Sequence, residues 1–422
     1  MSLTQSRYNF IYKRKKNENV IYNTFSKALV VLDDEEYRQY EELTFNNDDV
    51  EKQLADNGVL TEDCFDEAGF LKYFHYKTKF SNDTLFLTIA PTLDCNFACP
   101  YCYENRRQGK MSPEIQDALM SYIQDSIFHG VNNLNISWYG GEPLMYFDVL
   151  ESLSRKIMAA TEENNCLLSM HLVTNGYLLT QSMIDILDEI GVTKIQITLD
   201  GLKDSHDIRR PLKSGKGTFN KILDNLALFA DSPIEVLVRM NVDNQNWKDF
   251  KGLKEEIDAL NNPNIGIYPS PVEDINKDIV NEVSDFMTNE EFDAFALQMW
   301  EESQLQPDHF AVMDDRYCFC TAETENCYVV DDLGDFYKCW DEVGRRERRC
   351  FNVLDLENIN YSNVVRYFAA DPFSDEKCDR CTFLPLCFGG CKFQRANLEK
   401  SVCGFTQESF EKYLENAYFS KL

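Results

Sequence analysis

The sequence lacks the features that would place the protein in or on a membrane. No apolar run approaches the roughly 18 to 20 residues that a spanning helix needs. Polar residues, among them Gln5, Arg7 and Lys13, stand where a signal peptide would have its apolar core. Basic residues are also few, since 42 lysines and arginines accompany 71 acidic residues and the net charge is −29. Such a surface repels phosphate backbones and anionic lipids. We therefore expect a cytoplasmic protein that binds neither nucleic acid nor membrane.

Cysteine, by contrast, is abundant and unevenly placed. Of the 15 cysteines, only Cys64 and Cys166 stand apart; the others fall within 95–102 and 318–403. Disulfides are rare in a reducing compartment, so closely spaced cysteines more often hold metal. The two cysteine-rich regions are therefore candidate metal centres.

Strand and helix patterns alternate six times between about residues 84 and 270, which predicts an α/β fold with a parallel sheet. A small α+β domain is expected before it, with a hairpin within 7–23, and a cysteine-rich domain after it. The predicted domain ranges are 1–80, 81–305 and 306–422. The predicted strands are 84–91, 134–138, 168–174, 193–199, 234–241 and 264–269. Ligands bind at the carboxyl ends of such strands, in a barrel and in a doubly wound sheet alike.

The first cysteine region, Cys95, Cys99 and Cys102, follows the first of these strands; we call these residues the cysteine triad. Three thiolates on one short loop can ligate three irons of a cubane and leave the fourth iron open for a small molecule. A zinc site completed by a distant residue, or simply buried cysteines, would also fit this spacing.

Further motifs stand at the ends of the next strands: Gly140-Gly141-Glu142-Pro143, then Thr174-Asn175-Gly176, then Thr198-Leu199-Asp200-Gly201 and Arg209-Arg210. Together with the triad, they resemble the radical S-adenosylmethionine (SAM) family. The resemblance implies a partial (β/α)6 barrel, similar to a TIM barrel, in which a [4Fe–4S] cluster binds SAM and yields a 5′-deoxyadenosyl radical that abstracts hydrogen from a substrate. The implied cofactor-binding residues are Tyr101, Gly140, Gly141, Glu142, Pro143, Asn175, Thr198 and Arg210. Glu142 can accept from an ammonium, and Arg210 can pair with a carboxylate; for Thr174 and Asp200 a structural role is equally open.

The second cysteine region resembles the SPASM extension of radical SAM enzymes, which holds two auxiliary [4Fe–4S] clusters and would bring the total to three. The resemblance implies one ligand set of Cys378, Cys381, Cys387 and Cys403. It implies a second of Cys391, Cys339, Cys327 and either Cys320 or Cys318, with Cys320 favoured by its spacing. Cys350 is unassigned. A zinc-ribbon-like structural site is the alternative for this region.

The resemblance implies a peptide or protein maturase supplied with electrons by a partner such as flavodoxin or ferredoxin. One hypothesis is thioether or carbon–carbon crosslink formation in a ribosomally made peptide. Residues 1–80 would then be a winged-helix-like recognition domain, although they could equally be a packing extension of the barrel. A second is anaerobic sulfatase maturation, in which formylglycine is made. Such enzymes generally have an aspartate directly after the cysteine at the position of Cys339, where this chain has Trp340. A third hypothesis, from another class, is a non-catalytic iron–sulfur scaffold or redox sensor.

Overall fold

The computed structural model describes residues 2–272, 285–303, 317–398, 403 and 406–419. These form two compact units. The barrel unit comprises Ser81–Leu305 and Glu325–Tyr367, and the terminal unit comprises Met1–Phe80, Gln306–Thr324 and Phe368–Leu422. The domain ranges proposed from the sequence remain a prediction. Within the described residues, no helix combines the length and the apolar character that a membrane crossing requires.

The barrel unit is built on a nine-stranded sheet in the order β11-β10-β9-β8-β7-β6-β12-β13-β14. The strands are β6 (Thr84–Ile89), β7 (Asn133–Trp138), β8 (Leu167–Thr174), β9 (Val192–Thr198), β10 (Glu235–Val242), β11 (Ile265–Pro271), β12 (Cys327–Val330), β13 (Asp335–Tyr337) and β14 (Phe351–Asn352). The strands β6 to β11 run parallel and pair in sequence order. The expected α/β fold with a partial barrel is therefore confirmed.

Helices connect the parallel strands, and most of them bury an apolar face, whereas α7 buries His206 and Arg209. They are α4 (Pro113–Phe128), α5 (Phe147–Glu163), α6 (Gln181–Glu189), α7 (Lys203–Arg209), α8 (Phe219–Leu226) and α9 (Phe250–Asp258), with α10 (Asn289–Ser303) following β11 and α11 (Tyr361–Ala369) following β14. Helix α4 begins as its sequence predicts, because Ser112 accepts a hydrogen bond from the Ile115 N–H and Pro113 occupies the first turn. Helix α10 begins with a capping box between Thr288 and Glu291.

Three short strands extend the sheet beyond its first parallel strand, and the sequence did not predict them. Strand β12 pairs in parallel with β6, with Cys327 opposite Phe86, and β13 and β14 continue in antiparallel fashion. These strands contain four, three and two residues. Strands of so few residues cannot show the alternating pattern by which a strand is recognised in a sequence. The pairing of β12 with β6, a strand more than 200 positions earlier, depends on the tertiary fold.

The terminal unit contains a three-stranded antiparallel sheet in the order β2-β3-β4 and a two-stranded sheet of β1 and β5. Its strands are β1 (Leu3–Gln5), β2 (Asn9–Lys15), β3 (Glu18–Asn23), β4 (Leu29–Leu32) and β5 (Leu60–Glu62). Its helices are α1 (Asp34–Glu42), α2 (Asp48–Asp56), α3 (Glu67–Lys79), α12 (Glu376–Asp379), α13 (Leu384–Cys387), α14 (Lys392–Leu398) and α15 (Gln407–Leu414). The predicted hairpin is confirmed as β2 and β3, which pair Phe10 with Tyr22 and Tyr12 with Val20.

Candidate functional site

The cysteine triad lies on the loop after β6 and is held there by the glycine motif after β7. The Gly141 N–H donates to the Thr92 carbonyl at 3.2 Å, and the Glu142 N–H donates to the Asp94 carbonyl at 2.9 Å. A Cβ on Gly140 would lie 2.4 Å from the Thr92 oxygen, and one on Gly141 would lie 2.2 Å from the Asp94 oxygen. Both glycines are therefore required by the close approach of two backbone segments.

The Glu142 carboxylate is fully buried and joins the ends of β7 and β8. It accepts hydrogen bonds from the Leu144 N–H at 2.9 Å, the Thr174 hydroxyl at 2.7 Å and the Asn175 N–H at 2.7 Å. Burial raises the pKa of Glu142, while these donors lower it in part. Glu142 thus has a structural role between two strand ends, in addition to any contact with a ligand. Pro143 is the first residue of the short 3₁₀ turn that follows it.

The Asn175 side chain lies against the triad. Its amide nitrogen donates to Asn96 Oδ1 at 2.8 Å and is 3.8 Å from the Cys95 sulfur, while its oxygen accepts from the Tyr177 N–H at 3.0 Å. Thr198 is buried at the end of β9, on the same carboxyl edge of the sheet. The topology therefore brings the motifs of β7, β8 and β9 to one edge, as the strand order predicts.

Tyr101, between the second and third cysteines of the triad, is the centre of a buried polar network. Its hydroxyl donates to Asp200 and accepts from Arg210 Nη1 at 2.8 Å and from Asn241 Nδ2 at 3.3 Å. The Arg209 guanidinium lies over its ring, 5.1 Å from the centroid. Asp200 is fully buried, and its carboxylate serves this network. The Tyr101 hydroxyl thus connects the carboxyl ends of β6, β9 and β10.

Several buried donors beside the triad have no partner within the described residues. They are Asn96 Nδ2, Arg106 Nη2, Arg210 Nε and, on Arg209, Nε and Nη2. Burial raises the pKa of the Cys95 thiol to about 12 and that of Cys99 above its usual value, and the Arg106 charge lowers both in part. Buried donors without acceptors indicate a missing anionic group. The residues therefore fit an iron–sulfur cluster with thiolate ligands and the carboxylate of SAM.

Four further side chains line this region and were missed from the sequence. The Tyr103 and Tyr139 hydroxyls are in contact, and the Tyr139 ring stacks on Trp340 with centroids 5.7 Å apart. Glu104 follows two residues after the triad, and burial raises its pKa to about 7. Tyr103 and Trp340 each directly follow a cysteine of the predicted ligand sets, a signal that the sequence did contain.

In the terminal unit, charge interactions connect the cysteines of one predicted ligand set. Burial raises the pKa of Cys387 to about 11, and the charges of Cys381, Cys378 and Cys403 raise it further. The Arg395 guanidinium donates to the Cys378 sulfur at 3.4 Å. Thiols that interact in this way beside a cation would suit an anionic thiolate cluster.

The members of the other predicted ligand set lie in separate elements. Cys327 is the first residue of β12, and Cys339 follows β13, both in the barrel unit. Cys320 and Cys391 belong to the terminal unit. Cys350, which is unassigned in the sequence, is buried in the barrel core next to Phe351.

Comparisons with known proteins agree with this geometry. The radical SAM superfamily model matches residues 89–257. A cysteine-type anaerobic sulfatase-maturating enzyme of Clostridium novyi (strain NT) is 25% identical over 362 residues, covering 76% of this chain and 92% of that enzyme.

Two solved structures share the fold. Native anSMEcpe with bound AdoMet has a TM-score of 0.61 and 20% identity, over 79% of this chain and 97% of that one. Streptococcus suis SuiB bound to precursor peptide SuiA has a TM-score of 0.55 and 14% identity, over 96% of this chain and 99% of that one. The expected use of SAM and a [4Fe–4S] cluster accords with the matched family and with the SAM bound in a structural neighbour. Residues 89–257 of this chain form a radical SAM domain.

Proposed function

We propose that this enzyme is a maturase that forms a thioether or carbon–carbon crosslink in a ribosomally made peptide. The observation that carries the proposal is the fold shared with SuiB, a protein solved with its precursor peptide, over 96% of this chain. The match to anSMEcpe covers 79%. The SuiB structure therefore accounts for more of the chain than the anSMEcpe structure.

When bound, SAM and the cluster held by the triad supply the radical that abstracts hydrogen from the substrate. The roles proposed for this chain's own residues follow from the site. Arg210 would hold the SAM carboxylate with its unpartnered Nε. Glu142 would accept from the SAM ammonium, Thr198 would bond a ribose hydroxyl, and the residues Tyr101, Gly140, Gly141, Pro143 and Asn175 would shape the pocket.

We assign two auxiliary [4Fe–4S] clusters to the ligand sets proposed from the sequence. Cys378, Cys381, Cys387 and Cys403 are supported by their mutual charge interactions. The second set of Cys320, Cys327, Cys339 and Cys391 rests on the sequence pattern alone. Electrons would come from a flavodoxin or ferredoxin. Three clusters predict about twelve irons per chain.

The terminal unit offers a docking edge for a peptide leader. One face of its three-stranded sheet is occupied, because Phe10 and Tyr22 both pack on Phe410 with ring centroids 5.1 and 5.5 Å apart. Strand β4 pairs with β3 on one side and with no other strand in the described part of the chain. A leader segment could add to this edge as a further strand. This supports residues 1–80 as a recognition domain.

Sulfatase maturation is the second candidate, because the Clostridium novyi relative is matched over 92% of its length. One contact of this chain argues against it. The Asp341 carboxylate, one position later than in those enzymes, is buried and lies 3.5 Å from the Cys339 sulfur. A carboxylate directed at a predicted cluster ligand is poorly placed to serve as a base toward a substrate.

The deciding experiment supplies a leader-bearing cysteine-rich peptide and a short sulfatase-motif peptide to the full chain and to a chain lacking residues 1–80. We expect the full chain to give a product lighter by two hydrogens from the first peptide. Truncation should raise the peptide concentration needed for turnover and leave SAM cleavage without peptide intact. Formylglycine from both chains, with no crosslinked product from either, would contradict the proposal and establish the second candidate.

A further inference from the structure

Three metal-ligating side chains meet in the terminal unit, away from the radical SAM site. They are His75 on α3, Cys318 and Glu323, with exposed fractions of 0%, 7% and 0%. One ring nitrogen, the sulfur and one carboxylate oxygen all lie within 4.8 Å of one another. In the described residues this is the one group of three or more histidine, cysteine, aspartate or glutamate side chains so closely spaced.

The hydrogen bonds of these residues leave lone pairs directed into the cluster. His75 Nδ1 is 2.6 Å from the Tyr317 carbonyl oxygen, so Nδ1 carries the proton and Nε2 is an acceptor. Nε2 has no hydrogen-bond partner and lies 3.8 Å from Glu323 Oε2, which forms an ion pair with the Lys392 ammonium at 3.0 Å. A buried imidazole nitrogen that faces a carboxylate oxygen with no donor between them is costly unless a cation lies there.

The same arrangement is the one that histidine adopts as a metal ligand. A ligating histidine almost always donates its second ring N–H to a carbonyl or carboxylate, which fixes the ring and the tautomer. Here the Tyr317 carbonyl does so, and the Phe388 ring stacks on the imidazole at 5.4 Å with an interplanar angle of 7°. The Glu323 carboxylate is oriented in turn, because its Oε1 accepts from the Phe319 N–H at 2.7 Å.

We propose that His75, Cys318 and Glu323 bind one zinc ion. Nitrogen, sulfur and oxygen ligands lie about 2.0 to 2.3 Å from zinc, so pairs of ligand atoms in a tetrahedral site are about 3.3 to 3.8 Å apart. The His75 Nε2 to Glu323 Oε2 distance of 3.8 Å is already at this limit. Small side-chain rotations complete the site, and a water molecule takes the fourth position.

When zinc binds, two positive charges already present must move: the thiol proton of Cys318 and the Lys392 ammonium beside Glu323. Cys318 loses its thiol proton to solvent on binding, so that thiolate and carboxylate together neutralise the dication. The Lys392 ammonium lies 3.0 Å from Glu323 Oε2 without the alignment of a hydrogen bond, and it also donates to the Phe388 carbonyl at 2.6 Å. Lys392 can move away from the Glu323 carboxylate and still donate its hydrogen bond to the Phe388 carbonyl. In the zinc-free protein the Lys392 ammonium thus supplies the positive charge that zinc would supply.

This site would fasten α3 to the segment that contains Cys318 and Glu323. It would also resolve the choice between Cys318 and Cys320, since a sulfur engaged with zinc is not available to an auxiliary cluster. The role is structural: three buried side chains, from helix α3 and from residues 318–323, are fixed by one ion.

The experiment uses the cluster-loaded full chain, incubated with one equivalent of zinc and washed with a chelator. We expect one zinc per chain and a zinc K-edge absorption spectrum with one sulfur and otherwise nitrogen or oxygen neighbours. Cys318→Ser and Glu323→Gln should each weaken zinc binding by about tenfold or more, with unchanged iron content. Cys64→Ser, which alters an exposed cysteine, is the matched control and should retain the ion.

Iron content and circular dichroism verify that each variant is folded and cluster-loaded. If Cys318→Ser does not fold, Glu323→Gln decides, because glutamine keeps an oxygen for the Phe319 N–H. No retained zinc in the unaltered enzyme, an all-sulfur zinc shell, or unweakened zinc binding in either folded variant would overturn the proposal. A loss of iron in Cys318→Ser would do so as well, since Cys318 would then belong to a cluster.

Discussion

Replacing Glu142 by alanine separates a structural role of this carboxylate from a role in binding SAM. In the unaltered protein the buried carboxylate accepts three hydrogen bonds, from the Leu144 N–H, the Thr174 hydroxyl and the Asn175 N–H. Alanine leaves all three donors without their acceptor. Each buried donor left unsatisfied costs about 1 to 3 kcal/mol. The variant does not bury a carboxylate on folding, so it avoids the free-energy cost of desolvating that charge. This offsets part of the cost of the three unsatisfied donors.

We therefore expect Glu142→Ala to lower the free energy of unfolding by about 3 kcal/mol. In a chain of this size the melting temperature should fall by about 3 °C. Affinity for SAM should fall too, through the lost contact and through the loosened Asn175 beside the triad. Glu142→Gln is the control, because its amide oxygen still accepts from two of the donors and its melting temperature should fall less.

The assay measures both quantities on anaerobically reconstituted protein, by circular dichroism on heating and by equilibrium SAM binding. A melting temperature equal to that of the unaltered enzyme, together with lost SAM binding, would refute the structural reasoning: the carboxylate would then act on the ligand alone. Unchanged SAM affinity in Glu142→Gln with a normal melting temperature would remove Glu142 from the proposed SAM contacts.

Three further perturbations test the site. Replacing the cysteine triad by alanines should remove about four irons per chain and abolish SAM cleavage, and cleavage surviving in that variant would contradict the cluster assignment. Gly141→Ala should also lose those irons, because its Cβ would lie 2.2 Å from the Asp94 carbonyl oxygen; iron analysis equal to the unaltered enzyme would count against this close approach. Burial lowers the pKa of His206 from 6.5 to about 4. This folded-state pKa lies below the unfolded one, so stability present above about pH 6.5 is lost as the pH falls toward 4, by about 3 kcal/mol in all. His206→Gln should show a shallower decline of melting temperature with acid than the unaltered enzyme, and an equally steep one would exclude His206 as its source.

The sequence predicted well those parts of the site in which the order of the parallel strands alone determines which residues lie close together. Parallel strands place their carboxyl ends at one edge, so the triad, Glu142 and Asn175 had to come together once the strands were recognised. The helix starts at Ser112 and Thr288 were equally predictable, because a cap is formed by residues three positions apart.

Contacts between distant segments could not be predicted in this way. Tyr139 and Trp340 stack although 201 positions separate them in the sequence, and neither residue type is unusual after a strand. The meeting of His75 with Cys318 is of the same kind. The reason for the paired glycines could not be read from the sequence either, because two glycines suggest room for a ligand. In the structure, the Thr92 and Asp94 carbonyl oxygens occupy the space that a Cβ on Gly140 or Gly141 would need.

The net charge of the whole chain does not describe its candidate site. The protein carries a net charge of −29, yet the ionisable side chains with unpartnered buried atoms around the triad are the arginines 106, 209 and 210. Thiolates, a cluster that they ligate and the carboxylate of SAM all add negative charge in a place from which water is excluded. Buried cations are costly unless they are paired with such groups. Arg209 already pairs with Asp243 at 2.7 Å, so Arg106 and Arg210 are the cations best explained by anions that the loaded enzyme contains. The acidic surface is best explained by solubility, and net charge therefore says little about what this site binds.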